Sequence, residues 1–214
     1  MIKDHPIFIE SINFIRTNLE ANDFNYLENK VLERVVHTSG DFNIQNLLEF
    51  SLDACENAIQ SLREGAPILT DTDMAATAIK TMAQNTTGNQ VYWAKKWFQD
   101  NAYLGSTKTA YGILKGWKEL SEKYSGIKSP IVVIGSSPTA LVALLDHLHY
   151  SNNSPSLIIG MPVGFIGVEK SKQKLLRTNY SRIVINSTRG GAAMAAATVN
   201  ALLRECIWLE YYLR

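Results

Sequence analysis

The chain has 214 residues, 46% hydrophobic and 19% charged, which is enough apolar material for a single domain with a substantial core. A net charge of +1 gives no electrostatic basis for a nucleic-acid or anionic-membrane partner. Two distant cysteines, Cys55 and Cys206, make no metal or redox motif and read as reduced thiols in a cytoplasmic protein.

The opening "MIKDHPIFIESINF" lacks the uninterrupted apolar stretch of a signal peptide. Ile7, Ile12, Phe14 and Ile15 predict a first helix over roughly 6–20. Asn22 or Asp23 is expected to cap a second, along which Phe24, Leu27, Val31 and Val35 keep helical spacing. His37 falls in its last turn and Gly40 just beyond it. Residues 43–64 predict one or two more helices, ended by Gly65. "APILTD" (66–71) is a short apolar run followed by a helix, and 89–95 is a candidate strand. A helix over 107–124 precedes three β-branched runs at 130–135, 156–161 and 182–187. Helices follow these at 137–149, about 168–178 and 190–205. The most apolar stretch, "IVVIGSSPTALVALL", is interrupted at 135–138 and does not supply the roughly 20 apolar residues of a membrane span. The pattern predicts one α/β domain over 1–214. It consists of a mainly parallel sheet sandwiched by helices, preceded by an N-terminal helical segment.

Ligands in such folds gather beyond the carboxyl ends of the strands. At "VVIGSSPTALVALL", Ser136 and Ser137 precede Pro138 at a helix start. This is either an anion site built from free N–H groups or simply a well-capped helix. At "NSTRGGAAMAAA", Arg189 offers a fork for carboxylates, and Gly190 and Gly191 allow close backbone approach. Helix-on-sheet packing explains the same glycines. "GMPVGFIG" places Met161, Val163 and Phe165 in an apolar loop suited to a flat ligand or to a buried turn. "LTDTD" puts Thr70 and Asp71 at another strand end, where capping is the plainer explanation.

Nucleotide, phosphate-loop, nucleophile-elbow and zinc-protease motifs are absent. His147 and His149 lie two apart on one helix and point to different faces, so no metal site is expected. His37 is the best acid–base candidate, with Arg34 three residues earlier on the same face. The helix C-terminus favours its protonated form and Arg34 opposes it, a balance that would hold the pKa near neutrality. The hydroxyls of Thr38 and Ser39 complete the group.

"RVVHTSGDF", "EGAPILTDTDMAA", "VVIGSSPTALVALL", "IIGMPVGFIGVEKSK" and "RGGAAMAAATVNALL" occur in an order and spacing that closely resemble the precorrin-8X methylmutases of cobalamin (porphyrin–corrin) biosynthesis, over roughly 7–204. The resemblance implies a homodimeric isomerase. It would move a methyl group from C-11 to C-12 of the tetrapyrrole (cobalt-)precorrin-8, giving cobyrinate or hydrogenobyrinate. The reaction resembles a 1,5-sigmatropic shift without redox or metal cofactor, although in the anaerobic route the substrate carries cobalt. By the same resemblance His37 is catalytic, protonating or hydrogen-bonding the ring nitrogen beside the migrating methyl, and Ser11 and Arg34 contact substrate. Met161, Val163 and Phe165 would line an apolar slot. Ser136, Ser137, Lys108, Arg189 and the Gly190–Gly191 backbone would form its polar rim. Two positions depart from the family's pattern: Lys108 stands where arginine is usual, and Thr188 where the arginine before the double glycine is expected, with Arg189 next to it. The alternatives are a non-catalytic tetrapyrrole carrier of the same fold, or an anion- or nucleotide-binding α/β protein.

Overall fold

The computed structural model describes residues 4–98 and 106–212, with side chains as far as 207. Among them the chain runs α1 (Pro6–Asn18), α2 (Tyr26–Ser39), β1 (Leu48–Phe50), α3 (Ala54–Arg63), β2 (Ile68–Thr70), α4 (Asp73–Asn85) and β3 (Val91–Trp93). It continues with α5 (Lys108–Lys123), β4 (Ile131–Ile134), α6 (Pro138–Leu148), β5 (Leu157–Gly160), α7 (Val168–Leu176), β6 (Arg182–Ile185) and α8 (Ala192–Tyr212).

Two sequence expectations need correction. The cap of α2 is Asn25, not Asn22 or Asp23. Asn25 forms a reciprocal capping box with Glu28, whereas Asn22 is spent on a local turn to the Phe24 N–H at 3.0 Å. Residues 43–64 are not purely helical, because a 3-10 turn over Phe42–Asn46 and strand β1 precede α3. Leu48–Phe50 becomes a strand because β6 offers it an antiparallel edge, Leu48 opposite Ile185. That non-local partner outweighs local helical spacing.

The six strands form one sheet in the order β1-β6-β5-β4-β2-β3, in which only the β1–β6 pair is antiparallel. Alternate strand residues feed opposite layers. Ile68, Ile131, Val133, Leu157, Ile159, Ile183 and Ile185 pack into a core that includes residues of α1–α4 and α8. Leu69, Val132, Ile134, Ile158 and Val184 pack with α5, α6 and α7. The central strands are buried on both faces, which is why they read as unbroken β-branched runs.

After β2 the chain steps outward to β3 and then returns to the other side of β2 for β4. The topological switch therefore lies between the carboxyl ends of β2 and β4, the place where such sheets open a crevice. Here a carboxylate of the chain itself occupies it. Asp71 accepts from the Gly135 N–H at 3.1 Å, the Ser136 N–H at 2.7 Å and the Ser137 N–H at 2.8 Å. Among the described residues, no helix is long and apolar enough to cross a membrane.

Candidate active site

The last turn of α2 is built as its spacing predicts. Gly40 adopts the left-handed conformation (φ 66°), and its N–H donates to the Val36 carbonyl at 2.9 Å. Ser39 completes this end: its hydroxyl donates to the Val36 carbonyl and accepts from the Asp41 N–H, both at 3.2 Å. That leaves His37 and Thr38 exposed on the last turn.

Helix α1 brings Ser11 to His37, Oγ to Nδ1 at 2.9 Å. When the hydroxyl donates, the neutral ring carries its proton on Nε2, the nitrogen left for a ligand. The rings of Phe8 and His37 pack nearly perpendicular, 5.2 Å between centroids. The Arg34 guanidinium lies 4.7 Å from the same phenyl centroid and that of Arg204 lies 5.6 Å away. Burial, and then the charge of Arg34, lower the His37 pKa below its ordinary value. The balance expected from the helix end and Arg34 is thus tilted toward the neutral imidazole.

Arg34 lines a hollow of about 360 Å³ between α1, α2 and α8, together with Arg16, Lys30, Glu33, Arg204 and Glu205. Among the described residues its Nε is buried without a hydrogen-bond partner. Arg16 and Glu33 on its wall already pair at 2.6 and 2.9 Å. Residues missed by sequence reading join here. Phe8 packs against both His37 and Arg34, and Asp41, next to Gly40, takes the guanidinium of Arg189 in an ion pair. "SGDF" gave a faint signal for Asp41 through its place beside the capping glycine, and nothing marked Phe8.

Through that ion pair the loop after β6 is joined to the end of α2. The Thr188 carbonyl accepts the Gly164 N–H at 3.1 Å and the Met161 carbonyl accepts the Gly191 N–H at 2.8 Å. This brings the apolar loop alongside. Val163 (48% exposed), Phe165 (90%) and Ile166 (89%) face outward. The structure thus pairs Ser11 with His37 and ties the loop of Arg189, Gly190 and Gly191, with the neighbouring loop of Val163 and Phe165, to Asp41 just past the turn of His37 and Thr38; Arg34 lines the separate hollow between α1, α2 and α8.

Other sequence candidates are placed differently. Met161 is fully buried, its sulfur 3.6 Å from the Thr198 hydroxyl, so it lines core and not slot. Thr70 is fully buried, and its hydroxyl donates to the Thr72 carbonyl at 2.7 Å. Asp71 is spent on the three N–H groups above; burial raises its pKa and those donors pull against that. The supposed anion cradle at Ser136 and Ser137 is thus filled from within, while the Ser137 hydroxyl caps α6 by accepting from the Ala140 N–H at 3.2 Å. Lys108 is exposed at the first position of α5. It follows Thr107, which lines a second hollow of about 640 Å³ together with Ser106, Pro138, Thr139, Asp146 and Ile166 among others.

The sequence pattern of the precorrin-8X methylmutase family matches residues 6–205. A cobalt-precorrin-8 methylmutase of Synechocystis is 32% identical, covering 94% of this chain and 95% of the relative. A precorrin-8X methylmutase of Sinorhizobium is 34% identical over 94% of both. The crystal structure of a precorrin-8x methyl mutase from Thermus thermophilus superposes with a TM-score of 0.80 at 28% identity, covering 94% of this chain and 95% of that one. A family pattern spanning nearly the whole chain, relatives of matching length and a shared fold together establish that the chain belongs to the precorrin-8X methylmutase family.

Proposed function

We propose that this chain is an isomerase of cobalamin biosynthesis that moves the methyl group of (cobalt-)precorrin-8 from C-11 to C-12. Its family membership supports the reaction class. The observation that carries the site is the Ser11–His37 pair at the open end of α2, with Arg34 one turn earlier on the same helix. In a sigmatropic shift one carbon–methyl bond breaks as the next forms, and no atoms are gained or lost. The protein has only to hold the ring and polarise its conjugation. Ser11 holds the imidazole, and His37 donates a hydrogen bond from Nε2 to the ring nitrogen beside the migrating methyl. Arg34 and Arg189 take carboxylates on the substrate's edge.

His37 is open on a single subunit, and Val163, Phe165 and Ile166 beside this surface are water-exposed. A second copy of the chain covering this face would give the dry enclosure that a flat pigment needs. The working form is accordingly a homodimer, located in the cytoplasm. The test is to mix the protein with (cobalt-)precorrin-8 and follow the absorption spectrum, because moving the methyl alters ring conjugation. His37→Ala should lower turnover at least ~100-fold while product affinity stays within about tenfold. Full turnover in that variant would remove His37 from the chemistry.

A further inference from the structure

Lys172 sits mid-way along α7, where an amphipathic helix would normally expose a lysine, yet its side chain is fully buried. Its ammonium donates to the Ser187 carbonyl at 2.7 Å and the Arg189 carbonyl at 2.5 Å. Both belong to the loop between β6 and α8 that presents Arg189. Taking an ammonium out of water is costly unless its donors are met. Burial pushes the Lys172 pKa down to about 8, opposed by Glu169 one turn earlier. A methionine would fill the same space without that cost, so the charge and its two donors need a reason.

The loop supplies one. Between Ser187 and Gly191 the backbone is held from several sides at once. The Arg189 N–H donates to the Ser187 hydroxyl at 3.0 Å, the Thr188 carbonyl receives Gly164, and the Gly191 N–H reaches Met161. Lys172 supplies a further tie, to the residue before Thr188 and to Arg189 itself. From Arg189 the connection runs through its guanidinium to Asp41 beside the His37 turn.

We propose that Lys172 is a positioning residue for substrate recognition: its buried ammonium fixes the 187–191 backbone so that Arg189 is held at the edge of the His37 surface. This rests on the reading above that Arg189 meets the acidic substrate. Lys172 touches no reacting atom, and its effect belongs in binding and not in the chemical step.

The experiment uses the full-length protein and Lys172→Met. Amide exchange over residues 186–193 should speed up by about tenfold. KM for (cobalt-)precorrin-8 should rise about fivefold or more with kcat within about twofold. Lys172→Met combined with Arg189→Ala should show the KM of Arg189→Ala alone, because the first change acts through the second residue. Unchanged loop exchange, unchanged KM or additive effects would each overturn the proposal. Should the methionine variant fail to fold, Lys172→Gln, which keeps a donor but not the charge, takes its place; an unchanged KM there is equally fatal. Absent turnover in the wild-type protein would instead overturn the methylmutase reading, leaving the exchange measurement to decide the clamp.

Discussion

Replacing Asp71 by alanine removes the acceptor for three backbone donors at once: Gly135, Ser136 and Ser137. Gly135 is buried, so its N–H loses its partner without gaining water. Ser136 and the Ser137 backbone lie nearer solvent and recover part of the loss. Taking about 2 kcal/mol for the buried donor and about 1 kcal/mol for each of the others gives a destabilisation of ~4 kcal/mol. For a chain of this length each kcal/mol moves the melting point by roughly 2–4 °C, so a fall of about 8–16 °C is expected. Thermal unfolding followed by far-UV circular dichroism at pH 7 measures it. The vacated cradle is shaped for a carboxylate, so formate should restore several degrees in Asp71→Ala and nothing in the wild type. A fall of less than about 3 °C with no formate response would show that these N–H groups find other acceptors, and that Asp71 does not lock the sheet's switch point.

Three further outcomes follow from the same geometry. In Gly190→Ala the new Cβ would overlap the Met161 carbonyl oxygen at a φ of 153°; a loss of about 3 kcal/mol or more and a raised KM are expected, read by denaturant unfolding and steady-state kinetics. The His37 ring, followed by NMR, should titrate below its ordinary value of about 6.5, because burial and Arg34 lower its pKa. Between that midpoint and pH 6.5 the unfolded chain binds more protons, so stability should rise with pH through this window, less so in His37→Gln; a midpoint above 6.5 would contradict the assignment. Ser11→Ala, which frees the imidazole from its 2.9 Å tether, should lower kcat about tenfold with little change in melting temperature.

Much of the local architecture is legible in the residue order. The β-branched runs at 130–135, 156–161 and 182–187 resolve into β4, β5 and β6, since a doubly buried strand needs apolar side chains on both faces. The end of α2 is written in Gly40, which alone takes a left-handed cap without strain. Ser137 and Pro138 mark the start of α6 for equally local reasons. β1 was not legible, because its strand character depends on β6, far along the chain. The same limit applies to Thr70, Asp71 and Met161, whose types and positions suit a rim or a slot but whose side chains turn inward.

The sequence by itself determined the glycine end of α2, the doubly buried strands and, through its ordered motifs, the family. These depend on backbone period and on residues within a few positions of each other. Tertiary structure alone decided that Ser11 holds His37 across 26 residues, that Asp41 meets Arg189 across 148, and that Asp71 fills the cradle of Gly135–Ser137. It also decided that Lys172 on α7 is buried and donates to the Arg189 carbonyl. A hydrogen bond between distant segments is set by how whole layers pack, and no local spacing encodes which buried polar group will find which partner.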